Sequence, residues 1–385
     1  MLGQFLEQSI YRQVFLCEQL YELQEINIRE MGNLLGVCSG TVINDLGEIS
    51  EKLWDYIDDE YKKRNKYGII FKQGVSLTDV TQILYSESYF LRGLKHFFEG
   101  NFTSIHITES DHVSLSKAYD IKKMVYEFFD YYGYTSNNQI VIPELDYRYL
   151  LMMLIHLMDW EGYQTHNDRI KKFSEELIEY VECHFFNRTY KEIDKYLVYR
   201  GIEIGALRNK KSSISISEID KINARKQPLY KFVVEGIQEV YDINKISEDE
   251  IFYIFTLFNT KDYSSENIEF LLKDFDVVYS AIVIENQKIF ELKKILEKEF
   301  GESLFDSLIF KKAFINFSRT LWGNIQKYVV TPICLLDKEK QKIKQRLVKC
   351  LNLWKLKNSF VYFNSNMVNS LVFALYLSRS MTILD

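Results

Sequence analysis

The stretch INIREMGNLLGVCSGTVINDLGEISEKL, Ile26–Leu53, contains two short amphipathic segments separated by Gly36. Apolar residues recur at helical spacing on both sides of this glycine, which can adopt the backbone conformation that ends a helix. Asn27 can cap the first segment and Ser39 the second. The pattern predicts a helix, a tight turn and a second helix whose first turns expose short polar side chains. A helix of that kind can enter the major groove of DNA.

A second stretch, Ser104–Phe129, has the same organisation, with Ser114 at the start of its second helix. This helix carries several lysines, whereas Lys52 is the only basic residue between Ser39 and Leu53. Because lysines are attracted to DNA phosphates, we expect the second stretch to make the stronger contact. The candidate DNA-binding residues of the two stretches are Ser39, Thr41, Asn44, Ser114, Ser116, Lys117, Tyr119, Lys122 and Lys123.

The second helix of the first stretch is acidic. We expect Asp45 on or near its outer face, and the same helix contains two further acidic residues, Glu48 and Glu51. These carboxylates argue against recognition of guanine by this helix, because guanine is read by bidentate Arg or Lys donors. The alternatives for this stretch are therefore contacts through its short polar side chains and a helical hairpin that only packs.

A basic run follows the first stretch and flanks Tyr67–Phe71, whose aromatic and β-branched residues favour a strand. We interpret the run as the rim of a hairpin, or wing, that contacts phosphates, with a solvated loop as the alternative. Tyr131–Ile142 resembles a second wing, and Leu84–Phe98 predicts one amphipathic helix between the stretches. The basic residues of the first run are Lys62, Lys63, Arg64 and Lys66.

Composition limits the classes of protein to which the chain can belong. Its 385 residues include only 3 Pro and 16 Gly, which favours long helices over large sheets or a Gly-rich phosphate loop. The net charge of −6 leaves DNA binding to a local basic face. The five cysteines form no CxxC pair, so we expect neither a metal site nor a disulfide framework. This cysteine usage is typical of a protein in the reducing cytoplasm. We expect no signal peptide, membrane span, cofactor or catalytic activity, since the histidines and carboxylates form no catalytic spacing.

From Asn167 onward the periodicity predicts helix after helix, in two groups that look like copies of one bundle. The last helix, Val368–Ser380, can either form a dimer surface or close the second bundle. Before these groups, Glu144 and Arg148 are four residues apart in a very apolar helix and can form an ion pair. The simplest interpretation of that pair is a surface salt bridge of little energetic value.

Four motifs, in order along the chain, resemble those of a known family. The first is Ile26–Ile49 of the stretch quoted above. The others are VSLSKAYDIKKM, Val113–Met124; IVIPELDYRYLLMMLIHL, Ile140–Leu157; and RTYKEIDKYLVYRGIEIGAL, Arg188–Leu207. Together they resemble the Mga and AtxA group of virulence regulators, which carry phosphotransferase-system regulation domains, or PRDs, after a DNA-binding half.

The resemblance implies a mainly α fold with four domains. Two N-terminal winged helix-turn-helix domains are expected at 1–75 and 76–165, and two PRD-like helical bundles at 166–275 and 276–385. The small EIIB-like domain in which chains of the family end is expected to be absent here. The implied function is binding of double-stranded promoter DNA to activate virulence or surface-protein genes in the cytoplasm. The implied partners besides DNA are a second copy in a homodimer, RNA polymerase and phosphotransferase-system proteins.

In the family, regulatory histidines of the bundles accept phosphate, and this chain departs from that pattern. Asp194 and Glu248 lie where the first bundle would offer such histidines, and His184 is the last histidine of the chain. The aromatic context of His184 predicts a packed core side chain rather than a phosphoacceptor. We hypothesise that the carboxylates of Asp194 and Glu248 imitate a permanently modified state.

Two other functions remain as alternatives. A regulator that has lost DNA contact could modulate a full-length relative by heterodimerisation, which the net negative charge and the acidic first recognition helix favour. An RNA-binding antiterminator could also carry PRDs, but the N-terminal helices argue against it because such proteins resemble a small β-rich domain at that end. An enzyme is the least favoured reading.

Overall fold

The structure of the protein is a computed structural model that describes residues 2–137, 139–165, 167–358 and 361–381. The described chain is mainly helical, which confirms the mainly α class, whereas the winged helix-turn-helix and PRD-like organisation stays a prediction. It divides into two compact units. The first comprises Met1–Pro143, Met153–Gly162 and Val330–Leu335, and the second comprises Glu144–Met152, Tyr163–Val329 and Leu336–Asp385. The predicted division of each half into two domains stays a prediction.

The first unit begins with a helix, a short strand, a pair of helices and a β-hairpin. Its strands β1 and β2 both pair antiparallel with β3, so the sheet order is β1-β3-β2. A second hairpin, β4–β5, has only two residues in each strand. The helices are α1 (Gln8–Leu23), α2 (Ile28–Leu35), α3 (Ser39–Lys52), α4 (Leu77–Ser86), α5 (Tyr89–Phe98), α6 (Ser104–Ser110) and α7 (Leu115–Tyr131). The strands are β1 (Glu25–Asn27), β2 (Ile57–Lys63), β3 (Lys66–Phe71), β4 (Thr135–Ser136) and β5 (Gln139–Ile140).

Local signals at the start of α2 and in the turn before α3 agree with the sequence, with one correction. The Asn27 side chain accepts hydrogen bonds from the N–H groups of Arg29 and Glu30, and Gly36 ends α2 with φ +70°. The prediction that Ser39 caps α3 is wrong, because Cys38 holds the extended cap position and Ser39 is the first helical residue. At the cap position, the Cys38 sulfur lies 3.3 Å from the hydroxyl oxygen of Thr41, the third residue of the helix. A capping side chain typically contacts this part of the first turn.

The prediction of one helix over Leu84–Phe98 is also wrong, because Glu87 and Ser88 are not helical and separate α4 from α5. The buried Ser88 hydroxyl caps α5 by accepting the Leu91 N–H, and it donates to the Glu7 carboxylate at 2.7 Å. Since Glu7 is 81 residues away in sequence, this reason for the break was not visible as a local pattern.

Glu18 provides a pH-dependent contribution to the stability of the first unit. Its buried carboxylate accepts the Ile333 N–H at 2.8 Å, but burial outweighs that bond and raises its pKa from 4.5 to about 7. The neutral acid is therefore favoured by folding, and this stabilisation is complete below pH 4.5 and lost as pH rises through about 7.

We therefore expect the free energy of unfolding to fall by about 3 kcal/mol between acidic and mildly alkaline pH. Glu18→Gln, which keeps a neutral side chain at every pH, should remove most of that fall. Urea unfolding at about pH 5 and about pH 8 measures it, with Glu22→Gln on the exposed side of α1 as the control. An equal pH dependence in wild type and Glu18→Gln would contradict the assignment.

The second unit is a bundle of helices with one short antiparallel strand pair, β6–β7. A π-helical turn, Ser280–Ile284, continues α14, and 3-10 turns at Ile243–Lys245, Glu302–Asp306 and Trp322–Tyr328 connect other helices. The strands are β6 (Arg188–Tyr190) and β7 (Tyr263–Ser265). The helices are α8 (Glu144–Met158, which is shared between the units), α9 (Asp168–His184), α10 (Glu192–Arg208), α11 (Glu218–Arg225), α12 (Pro228–Val240), α13 (Glu248–Asn259), α14 (Ile268–Tyr279), α15 (Gln287–Phe300), α16 (Leu308–Arg319), α17 (Lys338–Lys357) and α18 (Ser365–Met381).

The last helix, α18, closes the bundle. It packs on α16 and α17, and Leu371 and Leu375 on its apolar face are completely buried within the unit. Leu377 is 44% exposed. Of the two interpretations of this helix, the burial supports closure of the bundle over a dimer surface.

Buried arginines are the unusual feature of the second unit. Arg148 is fully buried and forms two hydrogen bonds with Glu250, at 2.7 and 2.8 Å, and a third with Glu144 at 2.9 Å. Arg208 also donates to Glu144. The ion pair between Glu144 and Arg148 expected at the surface is thus part of a buried network, because α13 brings Glu250 to the same guanidinium.

Candidate nucleic-acid interface

The outer face of α3 carries mainly small and polar side chains, together with Ile43, which is 38% exposed. Val42, Leu46 and Ile49 are completely buried on its inner face, whereas Ser39 and Asn44 are exposed. Two further exposed positions are glycines, and a Cβ added at Gly47 would meet no atom within 4 Å. At these two glycines another surface can approach the helix backbone closely. Thr41, the third candidate on this helix, is half-buried and contacts Cys38.

Asp45 does not lie on the outer face, which corrects the expectation from sequence. It is 4% exposed, and both of its carboxylate oxygens accept from the Arg12 guanidinium, at 2.6 and 3.1 Å. Arg12 lies on α1, so the packing of α1 on α3 neutralises the charge. Glu48 and Glu51 stay exposed, and the Lys52 ammonium lies 3.6 Å from the Glu48 carboxylate. The exposed face of α3 is therefore less acidic than its sequence indicates.

The β2–β3 hairpin carries a basic tip. Lys62 and Lys63 end β2, and Arg64, with φ +50°, forms the turn with Asn65. The three cations are exposed, and none has a carboxylate partner within salt-bridge distance in the described chain. Lys66, the fourth predicted contact, is instead paired with Glu25. Three cations concentrated at one turn create a local positive potential, which attracts phosphates.

The helix pair α6–α7 repeats the arrangement with different chemistry. Thr103 caps α6, and Ser114 caps α7 by accepting the Lys117 N–H at 3.2 Å, as the sequence predicts for Ser114. Ser116 is exposed, and Tyr119 is 60% exposed on the outer face of α7. The Ser114 hydroxyl is engaged in capping, whereas Ser116 and Tyr119 have free surface.

The lysines of α7 differ in how strongly they are held. The ammonium of Lys117 lies 4.6 Å from the centroid of the Tyr89 ring, and that of Lys122 lies 5.4 Å from the Phe102 ring. Lys123 is the most exposed of the three and has Glu127 at 3.8 Å. Exposed cation–π contacts and ion pairs are worth about 1 kcal/mol or less, so phosphates can compete for all three cations.

Two relevant side chains were not singled out from the sequence. Arg92 on α5 lies 5.0 Å from the Tyr89 ring, so it adds a second cation beside Lys117. Trp54 is 71% exposed directly after α3. Single exposed hydrophobic side chains are common on protein surfaces, so Trp54 is a candidate contact through its position beside α3 and not through its exposure. The signal for Trp54 was present in the sequence, since Leu53 is the last residue of the inward apolar pattern.

Cys38 is chemically distinct among the cysteines. It is exposed, and its pKa is lowered by a hydrogen bond with the Thr41 hydroxyl and by the backbone N–H groups of Thr41 and Gly40. Cys17, by contrast, is buried and burial raises its pKa. The thiolate is the reactive form, so a lower pKa in an exposed position increases reactivity.

We therefore expect iodoacetamide to alkylate Cys38 much faster than Cys17 at neutral pH. Thr41→Val should slow the reaction at Cys38 severalfold, because it removes the hydroxyl and leaves the helix intact. Peptide mapping by mass spectrometry over a time course measures both rates. Equal rates at Cys38 in wild type and Thr41→Val would contradict the role of the hydroxyl.

The regulatory candidates lie in three separate environments of the second unit. His184 is exposed at the end of α9 and stacks on Tyr180 with ring centroids 4.0 Å apart, so the prediction of a packed core histidine is wrong. Asp194 lies 3.6 Å from the Lys261 ammonium, and burial raises its pKa. Glu248 pairs with Arg225 at 2.6 Å. Both carboxylates are therefore already neutralised by a cation.

Comparison of the chain with protein-family models and with curated proteins finds no match. Within the described residues, no group of three or more His, Cys, Asp or Glu side chains could hold a metal ion. Among the helices of the described chain, none combines the length and apolar character needed to cross a membrane.

Proposed function

We propose that the first unit binds double-stranded DNA and that the protein is a cytoplasmic transcription regulator. The observation that carries this proposal is the basic tip of the β2–β3 hairpin, Lys62, Lys63 and Arg64, next in sequence to the helix pair α2–α3. The order of one helix, one strand, two helices and a hairpin is that expected of a winged helix-turn-helix domain. Cations at a hairpin tip are suited to phosphates, and a helix with short polar side chains is suited to a groove.

In this proposal α3 enters the major groove and the hairpin holds the adjacent backbone. Asn44 is the exposed amide of α3, and amides of this kind form bidentate hydrogen bonds with adenine. The absence of exposed arginine or lysine on the first turns of α3 means that DNA shape and backbone contacts contribute much of the specificity. The lysines of α7 provide the second contact, as a second winged domain would.

The resemblance to the Mga and AtxA group extends the proposal to the second unit. We infer that its helices form two PRD-like bundles and that the protein acts as a homodimer on promoters of virulence or surface-protein genes. RNA polymerase or phosphotransferase-system proteins would be its protein partners. The ion pairs Asp194–Lys261 and Glu248–Arg225 support a constitutive state, since the negative charges are present and already bound.

Titration of fluorescently labelled random-sequence duplex DNA with the full chain tests DNA binding. We expect saturable binding whose affinity falls steeply with salt, because neutralisation of phosphates releases counterions. No binding by the folded wild-type protein would contradict the proposal.

The α7 lysines are tested with Lys117→Ala/Lys122→Ala/Lys123→Ala. Each phosphate contact that is lost should lower the affinity about 8-fold at 0.1 M salt, and Lys123 is the one least held by neighbours. We expect a loss of at least about tenfold in this variant. The control is Lys171→Ala/Lys172→Ala on the exposed side of α9, outside the first unit. An equal loss in the control would show that the effect comes from net charge alone.

Protection of Cys38 from alkylation locates DNA on α3. Cys38 and Ser39 are at the start of the proposed reading helix, so bound duplex should slow alkylation of Cys38 at least tenfold while Cys183 reacts as before. Undiminished alkylation of Cys38 at saturating DNA would exclude α3 as the reading helix.

A second candidate function is modulation of a related regulator by heterodimerisation without DNA contact. The net charge of −6 and the exposed Glu51 on α3 favour it. It predicts no DNA binding by the purified chain but co-purification with a full-length relative. The DNA titration therefore separates the two functions.

A further inference from the structure

The second unit contains a cavity of about 200 Å³ at the start of α15. Ligand pockets in proteins are commonly about 300 Å³ or larger, so this cavity would take only a small molecule. It lies among α11, α15, α17 and the turn Trp322–Tyr328. The lining residues on which the argument depends are Asp220, Asn223, Lys288, Trp322, Trp354 and Lys357.

Trp322 supplies a buried donor without an acceptor. Its side chain is 5% exposed, and in the described chain its indole N–H has no hydrogen-bond partner. The neighbouring Trp354 does have a partner, since its indole N–H donates to the Lys288 carbonyl at 2.7 Å. A buried unsatisfied donor costs about 1–3 kcal/mol, and native proteins keep few of them. The nitrogen itself is enclosed by protein atoms, so Trp322 faces the cavity with its ring and not with its N–H.

The cavity also has an excess of positive charge. Lys288 and Lys357 are exposed, and neither ammonium has an ion-pair partner in the part of the chain that the structure describes. Asn286, the N-cap of the 14-residue α15, accepts only the Ile289 N–H from the first turn. The start of a helix carries partial positive charge and free N–H groups. Two cations and a helix start around one cavity attract a multiply charged anion such as phosphate.

The remaining polar groups suit hydroxyl groups. Asp220 offers a carboxylate, whose other contact is the Ser217 hydroxyl at 2.7 Å. The Asn223 amide makes no side-chain hydrogen bond in the described chain. Carboxylates and amides accept from hydroxyl groups, whereas the two indoles provide apolar faces for C–H groups. A ligand complementary to all of these groups is small, anionic and hydroxylated.

We propose that this cavity binds a small sugar phosphate. The phosphate lies near Lys288, Lys357 and the start of α15, the sugar hydroxyls bond to Asp220 and Asn223, and the sugar C–H groups face the two indole rings. This site is independent of the DNA-binding surface, so it stands or falls separately from the proposed function.

Titration of the full chain with ribose 5-phosphate, followed by tryptophan fluorescence and calorimetry, tests the proposal. Two of the chain's 4 tryptophans line the cavity, so occupancy should change the emission. We expect saturable binding of ribose 5-phosphate at least tenfold tighter than that of either ribose or inorganic phosphate. Lys288→Met/Lys357→Met should weaken it at least tenfold.

Two further variants keep the test specific. Lys298→Met removes an exposed lysine from the same helix, away from the cavity, and should leave the affinity unchanged. Asn223→Ala removes the amide that is proposed to bond a sugar hydroxyl, and should weaken binding severalfold in a protein with an unchanged circular dichroism spectrum. Equal affinity for ribose 5-phosphate and inorganic phosphate would overturn the proposal. So would unchanged affinity in Lys288→Met/Lys357→Met, or the absence of saturable binding.

Discussion

Replacement of Arg148 by Met is expected to lower the free energy of unfolding by about 3–5 kcal/mol. Arg148 is fully buried, and its guanidinium donates two hydrogen bonds to Glu250 and one to Glu144. Methionine fills much of the volume but removes the charge, so Glu250 would be left as a buried carboxylate without a cation. The uncompensated charge, rather than the lost contacts alone, accounts for the size of the effect.

Urea unfolding followed by circular dichroism measures the change. A surface pair serves as the control, since Lys171 and Glu175 are more than half exposed and Lys171→Met should change the free energy of unfolding by less than about 0.5 kcal/mol. Arg148→Met/Glu250→Met should recover a large part of the loss, because it removes both charges. If the double variant were as unstable as Arg148→Met, packing rather than charge would explain the defect.

The largest expected effect on DNA affinity comes from the basic hairpin tip. Lys62→Ala/Lys63→Ala/Arg64→Ala should weaken binding to random duplex DNA by about 500-fold at 0.1 M salt, if each residue contacts one phosphate. The slope of log affinity against log salt should become less steep by about 2.7. The three side chains are exposed and form no salt bridge in the described chain, and the one recorded ring contact, Lys63 at 5.5 Å from the Tyr61 ring, is weak enough for phosphates to displace.

Fluorescence anisotropy at several salt concentrations gives both quantities. Lys66→Ala is a matched comparison in the same hairpin, and it should have a smaller effect because Lys66 is already paired with Glu25. A loss of affinity without a change in salt slope would mean that the triple variant damages the fold, not the phosphate contacts. Unchanged affinity of the triple variant would exclude the hairpin as a DNA contact, and the α7 lysines would then be the candidate contact.

The elements that could be predicted from sequence are those specified by neighbouring residues. Asn27 caps α2, Gly36 ends it in a left-handed conformation, and Ser114 caps α7, each through contacts within a few residues. The inward face of α3 follows from its apolar spacing. The cap of α3 is also a local feature, but the prediction placed it one residue too late, at Ser39 instead of Cys38.

The errors at the candidate site concern charges whose partners are distant in sequence. The spacing of α3 places Asp45 on or near the outer face, but Arg12, 33 residues earlier, pairs with its carboxylate in the interior. The break at Ser88 depends on Glu7, and the exposure of His184 depends on how α9 ends. A helical pattern in one segment cannot show which residue of another helix will face it.

The sequence by itself determined the helical class, the α2–α3 and α6–α7 helix pairs and the concentration of basic residues at 62–66, because these depend on periodicity and on short-range backbone preferences. Only the tertiary structure decided which charges remain at the surface. Arg148 illustrates the reason: its partner Glu250 is 102 residues away, and only the packing of α13 against α8 within the second unit converts an i, i+4 pair into a buried network. Burial and pairing are properties of elements brought together in space, and they set the charge that a surface presents to DNA.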